Sequence, residues 1–317
     1  MAEFALAASV VLPERAAAGC ALATGPRGGP AHLAWTGSDF RINLATSADG
    51  ARLDGKRTFR HRTATTVSTS TYEASQQRSV SSTKAVALCP AVAVTNRGVH
   101  LAWTGTDARL NLWPLGPADE PTRLRERSDR CPALAAWGDE LVVGWTGTDQ
   151  RLNLLYTSAG SLTSPALLDQ RSNNAPALCT VGPDVVVAWA GTDRRLNVLW
   201  SRGGGFGPPL RLAQTSDHAP ALSPLPGATG GGGGPYGGRG GGARGGVLLA
   251  WTGRDRRVNV VPLGPGAGPG AGPTAGPPIR LEARSDHAPA LCPFGAGTLL
   301  AWTGGDARPN LAHLHRP

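Results

Sequence analysis

The chain has 317 residues, 44 of them glycine and nine tryptophan, and carries a formal net charge of +9 from 31 basic and 22 acidic residues. No segment approaches the ~18 consecutive apolar residues of a membrane-spanning helix, so we expect no membrane span. The basic residues form no Lys/Arg-rich run and no nucleic-acid-binding module, which argues against nucleic acid as a partner. A basic surface instead attracts anionic partners, acidic polysaccharides among them.

A unit of four strand-like segments recurs along the chain. Between residues 128 and 171 the unit is free of insertions, and its segments lie at 128–134, 141–147, 151–155 and 166–171, separated by Gly, Pro, Asp and Ser. Other units are lengthened by a Ser/Thr-rich stretch at about 63–83, a Gly-rich stretch at about 227–246 and a Pro/Gly-rich stretch at about 264–278. We expect these insertions to be flexible. Without them the unit has about 42 to 44 residues, the size of a four-stranded propeller blade.

The two ends of the chain together complete one unit. The last unit stops after its third segment, at Pro317, and lacks a fourth. Residues 10–15 followed by 18–22 resemble residues 279–284 followed by 288–291, so the N-terminus carries the missing segment. This arrangement closes a ring and removes exposed sheet edges. The sequence therefore predicts an all-β, six-bladed β-propeller, a single domain over residues 1–317, which we expect to be a monomer.

The phrase Trp-(Thr/Ala)-Gly-x-Asp-x-Arg-x-Asn occurs in every unit. In the first copy Trp35 and Gly37 end one strand and Arg41 and Asn43 begin the next, joined by a tight turn that contains Asp39. Alternation along the strands then places Trp, Arg and Asn on one face. These side chains are the candidate ligand-binding residues: Trp35, Arg41, Asn43, Trp103, Arg109, Asn111, Trp145, Arg151, Asn153, Trp189, Arg195, Asn197, Trp251, Arg257, Asn259, Trp302, Arg308 and Asn310.

Two interpretations of this face stay open from the residues alone. In a structural interpretation the Trp fills the space between blades, the Asp fixes the turn and the Asn satisfies a backbone group. In a functional interpretation the indole is an apolar platform for a sugar ring, while Arg and Asn hydrogen-bond its hydroxyl groups. Repetition of weak sites around a rigid ring would then give avidity.

The five cysteines occur at or near the start of the units, at Cys20, Cys89, Cys131, Cys179 and Cys292. We expect equivalent positions in different blades to lie too far apart for a disulfide, which leaves free thiols. Free thiols and the lack of a convincing signal peptide favour the cytoplasm, with secretion as the alternative. No motif predicts a cofactor, a metal ion or a catalytic centre.

The repeat resembles that of bacterial proteins with Trp-Thr-Gly-Thr-Asp…Leu-Asn propeller repeats, and the plan of the chain is similar to six-bladed fucose-binding propeller lectins. This resemblance covers almost the whole chain. It implies a non-enzymatic, multivalent carbohydrate-binding protein whose partner is a glycan, neutral or acidic, while the fucose-lectin ligand residues do not map onto these positions.

Two other functions are alternatives. A protein–protein interaction scaffold would use the loops of the ring, with a wholly structural repeat. A sialidase-like glycoside hydrolase is less favoured, because it needs an activated Tyr with a carboxylate and several Arg at one end of the ring. The chain has only Tyr72, Tyr156 and Tyr236 to offer, and Ser47-Ala48-Asp49-Gly50 is a partial match to a sialidase turn.

Overall fold

The computed structural model describes residues 4–73, 78–116, 120–202, 205–226, 245–266 and 272–315. These residues form β-strands, turns and connecting segments, with no helix among them. Accordingly, no helix in the described part of the chain has the length and apolar character needed to cross a membrane.

The strands form six blade sheets arranged as a ring, so the prediction of a six-bladed β-propeller is confirmed. The chain begins with β1 (Ala5–Leu6) and β2 (Val10–Val11). Blade I contains β3 (Cys20–Gly25), β4 (Gly28–Thr36), β5 (Arg41–Ser47) and β6 (Asp54–Arg62), and it is followed by β7 (Ala64–Glu73) and β8 (Arg78–Ala87). Blade II contains β9 (Ala91–Thr95), β10 (Gly98–Thr104), β11 (Arg109–Pro114) and β12 (Thr122–Arg127).

The other blades follow the same plan. Blade III contains β13 (Ala133–Trp137), β14 (Glu140–Thr146), β15 (Arg151–Ser158), β16 (Ser161–Leu162) and β17 (Ala166–Arg171). Blade IV contains β18 (Ala177–Val181), β19 (Asp184–Ala190), β20 (Arg195–Arg202), β21 (Gly205–Phe206) and β22 (Leu210–Thr215). Blade V contains β23 (Ala221–Pro224), β24 (Val247–Thr252), β25 (Arg257–Gly264), β26 (Thr274–Ala275) and β27 (Ile279–Arg284). Blade VI contains β28 (Ala290–Phe294), β29 (Gly297–Thr303) and β30 (Pro309–His315).

The N-terminus completes blade VI, as the alignment of the chain ends predicts. Val10 lies opposite Leu311 in β30, just as Ile279 lies opposite Val260 in blade V. β1 pairs with the far end of the same strand. The outer strand of this blade therefore comes from the start of the chain, which closes the ring and leaves blade VI with the same strand pairing as its neighbours.

The core lies between blades. Each buried cluster joins one face of a blade to the facing side of the next, and the first strands of the blades pack against one another around the axis. They enclose a cavity of about 530 Å³ along the axis, lined at its centre by small side chains such as Ala93, Ala135 and Ser223. The second strands are covered on both faces: residues 185–190 of β19 are all buried. This double burial explains their continuous apolar sequence.

Buried hydroxyl groups join each blade to the connection that leads into its neighbour. The Thr of the repeated phrase donates a hydrogen bond of 2.5–2.9 Å to a carbonyl oxygen in the connection before the next blade, in five pairs: Thr36 to Leu88, Thr104 to Arg130, Thr146 to Asn174, Thr252 to His287 and Thr303 to Ala18. A Ser in the connections to blades III–VI donates to the blade that follows: Ser128 to Thr146, Ser172 to Ala190, Ser216 to Thr252 and Ser285 to Thr303. In blade IV the Thr is replaced by Ala190, which has no hydroxyl group to donate.

The structure describes parts of each of the three predicted insertions. The Ser/Thr-rich stretch falls on β7 and β8, which pair with each other in a separate two-stranded sheet, from Ala64 opposite Ala87 to Glu73 opposite Arg78. Residues 227–244 of the Gly-rich stretch lie outside the described residues, as do residues 267–271 of the Pro/Gly-rich stretch. The strand before residues 267–271, β25, pairs at its end with the strand after them, β26, with Gly264 opposite Thr274.

Candidate functional site: the repeated hairpin and the arginine rim

The repeated phrase forms the hairpin between the second and third strands of each blade. In blade I the predicted register is confirmed: Trp35 lies opposite Asn43, and the Gly37 nitrogen donates to the Arg41 carbonyl oxygen at 2.9 Å. The Asp39 carboxylate accepts a hydrogen bond of 3.1 Å from the Arg41 backbone nitrogen. The residue after the Asp has a positive φ of 61–67° in every copy: Phe40, Ala108, Gln150, Arg194, Arg256 and Ala307. Each turn therefore holds a non-glycine residue in the left-handed region.

Glycine is required at the start of this turn. A Cβ atom on Gly147 would lie 2.6 Å from the Asp149 carboxylate and 3.2 Å from the Asn153 amide nitrogen. The Asn153 amide in turn donates to the Arg151 carbonyl oxygen at 2.9 Å. Gly, Asp and Asn of the phrase thus hold one hairpin conformation, which is a structural role for each of them.

The six tryptophans of the phrase lie between blades. They are 1–5% exposed: Trp35, Trp103, Trp145, Trp189, Trp251 and Trp302. Each packs against the preceding blade, and in blade II the His61 ring from blade I lies 5.1 Å from the Trp103 ring, centroid to centroid. Their burial leaves little indole surface for a ligand.

The asparagines are largely committed to the backbone. In all six copies the amide nitrogen donates to the carbonyl oxygen of the Arg two residues earlier, at 2.7–3.1 Å, through Asn43, Asn111, Asn153, Asn197, Asn259 and Asn310. In blade I the Asn43 side-chain oxygen also accepts a hydrogen bond of 2.7 Å from Thr58. In every blade the Asn lies opposite the Trp, which is the register predicted from the three-residue turn.

The arginines of the phrase are the accessible members of the set. The side chains of Arg41, Arg195 and Arg308 are 45–48% exposed, and that of Arg257 is 21% exposed. The Nε atoms of Arg109 and Arg257 are buried with no hydrogen-bond partner among the described residues.

A second set of arginines, which the sequence analysis missed, lies opposite the first on the outer strands. The facing pairs are Arg41 with Arg62, Arg109 with Arg127, Arg151 with Arg171 and Arg257 with Arg284. The outer-strand members of these pairs are exposed. We call the two sets together the arginine rim. The available signal was the Arg-Ser dipeptide that ends several units, at Arg127, Arg171 and Arg284.

The turn aspartates form ion pairs with further arginines on the outer strands. Asp107, Asp193 and Asp255 make ion pairs with Arg123, Arg211 and Arg280 on the outer strand. The pKa of the Asp193 carboxyl is lowered by the Arg195 backbone N–H and then by Arg211, against the effect of burial. Blades I, III and VI have Thr58, Leu167 and Val11 at the position of these outer-strand arginines.

The groups that a sialidase-like enzyme would need are not brought together in the described structure. Tyr156 packs against Trp137, with ring centroids 5.4 Å apart, and burial raises the pKa of its phenol, the opposite of what an activated nucleophile needs. Tyr236 and the side chain of Tyr72 lie outside the described part of the structure. The Asp49 carboxylate accepts hydrogen bonds from the backbone nitrogens of Ala51 and Arg52 and so holds a turn at the opposite end of the ring. The described residues contain no cluster of three or more potential metal ligands.

The comparisons with known proteins establish the fold. No protein-family model and no curated protein matches the chain. Among solved structures, the fucose-specific lectin from Aleuria aurantia is similar with a TM-score of 0.61 at 10% sequence identity, over 96% of this chain and 93% of that chain. AofleA from Arthrobotrys oligospora gives a TM-score of 0.61 at 10% identity, over 99% of this chain and 87% of that chain. BBS1N in its complex with ARL6DN gives 0.51 at 11% identity, over 100% of this chain and 97% of that chain. At such identities the likeness concerns the fold alone, which for the Aleuria aurantia lectin is a six-bladed β-propeller.

Proposed function

We propose that the protein is a non-enzymatic, multivalent carbohydrate-binding propeller that recognises acidic glycans through the arginine rim. In each blade the Arg of the phrase is the recognition group, while the buried Trp and the Asn hold its strand in place. The main support for this proposal is the cross-strand pairing of Arg with Arg, which is repeated in several blades at the same end of the ring. The likeness of the fold to a propeller lectin supports the proposal.

Facing arginines favour an anionic ligand. Like charges directly opposite each other on two strands are destabilising, and an anion placed between them relieves the repulsion. In blade III the Arg171 guanidinium donates to the Asp149 carbonyl oxygen at 2.9 Å, so it lies over the turn beside Arg151. In blade II the Arg127 guanidinium donates in the same way to the Asp107 carbonyl oxygen. A carboxylate or sulfate group accepts charge-assisted hydrogen bonds from such a pair.

Repetition around the ring then determines the strength of binding. Each exposed site is weak by itself, because solvent and salt screen surface charges. A polymer or a surface with many acidic groups engages several blades at once, and avidity exceeds the affinity of one site by orders of magnitude. We therefore expect tight binding to polyvalent acidic glycans and weak binding to their monosaccharides.

A glycan array, screened at low and at physiological salt, tests the proposal. We expect binding to a subset of acidic glycans that persists at physiological salt, with little binding to neutral glycans. Salt-resistant binding to a neutral sugar would contradict the acidic specificity. Equal binding to every acidic glycan, lost with salt, would reduce the rim to non-specific charge attraction.

A matched pair of variants locates the site. Arg109→Gln combined with Arg151→Gln removes two charges from the rim, and Arg27→Gln combined with Arg52→Gln removes two exposed charges from the opposite end of the ring. We expect the rim variant to weaken glycan avidity at least about tenfold, since a contact worth ~1.4 kcal/mol is tenfold in affinity. We expect the control variant to bind like the unmodified protein. Equal losses in both would contradict a site at the rim.

A protein–protein interaction scaffold is the second candidate, and the burial of the six indoles favours it. A tryptophan that is 1–5% exposed fills the space between blades and offers a sugar no stacking platform. The similar structure of BBS1N was determined in complex with another protein, ARL6DN. Absence of binding on the array by a protein that unfolds cooperatively would favour the scaffold.

A further inference from the structure

Two cysteines of neighbouring blades are in contact near the axis of the ring. Cys89 and Cys131 each precede a proline that leads into the first strand of their blade, β9 and β13. The Cys89 backbone nitrogen donates a hydrogen bond of 3.1 Å to the Cys131 Sγ atom. The Cys89 Sγ atom donates to the Pro90 carbonyl oxygen, also at 3.1 Å.

This contact corrects the expectation that equivalent cysteines of different blades lie too far apart to pair. First strands pack around the axis, and neighbouring blades converge there although they diverge at the outer strands. The N–H···S contact places the two Cα atoms at most about 7 Å apart, near the 4.4–6.8 Å range of disulfides. Both cysteines have free thiols, and as whole residues they are partly exposed, whereas Cys20, Cys179 and Cys292 are buried.

We propose that Cys89 and Cys131 are a redox-sensitive pair that forms a reversible disulfide between blades II and III. The oxidant is a small-molecule disulfide such as oxidised glutathione. One cysteine loses its proton and attacks a sulfur of the oxidant, which releases one glutathione thiolate and leaves a mixed disulfide. The second cysteine, deprotonated in turn, attacks the protein sulfur of that mixed disulfide and releases the second glutathione. Two protons leave the protein, and its two electrons reduce the oxidant to two thiols.

The disulfide would join blades II and III by a covalent bond, where the structure has only non-covalent contacts. It would close a loop between cysteines 42 residues apart, which restricts the unfolded chain more than the folded one. Since the two residues already touch, little movement of the blades is needed. We therefore expect oxidation to raise the thermal midpoint by several degrees.

The environment of the thiols also predicts how fast the bond forms. Burial is the largest cause of a raised pKa at both Cys89 and Cys131, and the neighbouring Cys131 thiol adds to the shift at Cys89. Only a thiolate attacks a disulfide, so little of the reactive form exists at neutral pH. Below the pKa, the rate should rise about tenfold for each pH unit.

Peptide mapping of the whole, folded protein tests the proposal. The reduced protein is incubated with oxidised glutathione, its remaining thiols are alkylated, and it is digested with trypsin without reduction. The expected result is a cross-linked pair of peptides, residues 85–97 with residues 131–151, which dithiothreitol separates. Cys131→Ser should abolish both the cross-link and the rise in thermal midpoint, while Cys179→Ser should change neither.

Three results would overturn the proposal. One is a protein that retains all five free thiols after incubation with oxidised glutathione at raised pH. Another is glutathione held as a stable adduct on either cysteine, with no cross-link. The third is a cross-link through residues 16–27, which would assign the pair to Cys20, the other thiol whose charge affects Cys89.

Discussion

Thr252→Val should lower the free energy of unfolding by about 1–3 kcal/mol, because it removes one of the buried hydroxyl groups that join neighbouring blades. The Thr252 hydroxyl donates to the His287 carbonyl oxygen at 2.6 Å, and Thr252 is 1% exposed. Valine keeps the shape of threonine and loses only the hydrogen bond. A typical intramolecular hydrogen bond contributes about 0.5–1.5 kcal/mol, and an orphaned buried acceptor would cost up to ~3 kcal/mol. The Ser285 hydroxyl lies 3.1 Å from the same oxygen, but it has a single proton, which it also directs at the Thr303 carbonyl oxygen at 2.8 Å. It satisfies the His287 oxygen only in part, so the expected loss lies between these two figures.

Blade IV offers the reverse experiment, since it carries Ala190 where five blades carry Thr. The expected acceptor is the His218 carbonyl oxygen, which lies 3.0 Å from the Ser216 hydroxyl. That hydroxyl has a single proton, which it also directs at the Thr252 carbonyl oxygen at 2.9 Å, so the His218 oxygen can accept another hydrogen bond. Ala190→Thr and Ala190→Val add side chains of the same shape at this buried position. Any cost of crowding is therefore common to both, and the threonine variant should be the more stable by about 1 kcal/mol.

Equilibrium unfolding in urea measures both effects, with an unchanged m-value showing that the variants differ only in stability. The reasoning would be refuted if Thr252→Val matched the unmodified protein, or if Ala190→Thr were no more stable than Ala190→Val. Either outcome would mean that these hydrogen bonds give no net stability over solvation of the same groups in the unfolded chain.

Three further predictions concern the turns and the titrating histidines. Gln150→Gly should stabilise the protein by about 1 kcal/mol, because Gln150 has a φ of 67° and glycine adopts this conformation without steric cost. Urea unfolding measures the change, and a loss of stability would contradict the prediction. Gly147→Ala should destabilise the same hairpin, because the new Cβ atom would meet the Asp149 carboxylate at 2.6 Å; an unchanged urea midpoint would contradict it. Burial is the largest cause that lowers the pKa values of His218 and His287 below the usual 6.5, so the unfolded chain binds protons first. Their contribution to stability is present above pH ~6.5 and is lost as pH falls through the folded-state pKa values. Thermal unfolding between pH 7.5 and roughly pH 5 should show this loss. A variant with both His218→Gln and His287→Gln should lose less stability over the same range.

Much of the architecture is encoded in short stretches of the chain. The Trp-to-Asn phrase determines the hairpin, because Gly37, Asp39 and Asn43 all hydrogen-bond to the backbone of Arg41 within seven residues. The size of the unit and the spare strand at the N-terminus predicted six blades and their closure, and both are confirmed. The face shared by Trp, Arg and Asn followed from alternation along paired strands.

Other features depend on contacts between elements that no local pattern specifies. The burial of Trp103 depends on His61 and its neighbours, which the adjoining blade supplies. The pairing of Arg109 with Arg127 depends on a bulge that shifts the register of the outer strand. Alternation by itself predicts which face a side chain shares, and it does not predict which residue a bulge places opposite.

The sequence by itself determined the repeat, the hairpin chemistry and the number of blades, because each of these depends on residues close together in the chain. Only the tertiary structure decided that Cys89 and Cys131, 42 residues apart, lie in contact and that two arginines face each other across the outer strands of several blades. For the arginines, which belong to one blade, the physical reason is the bulge in the pairing of its third and outer strands. For the cysteines it is the geometry of the ring. Equivalent residues of neighbouring blades converge at the axis and diverge at the rim, so their separation depends on radius, which the period of the sequence does not contain.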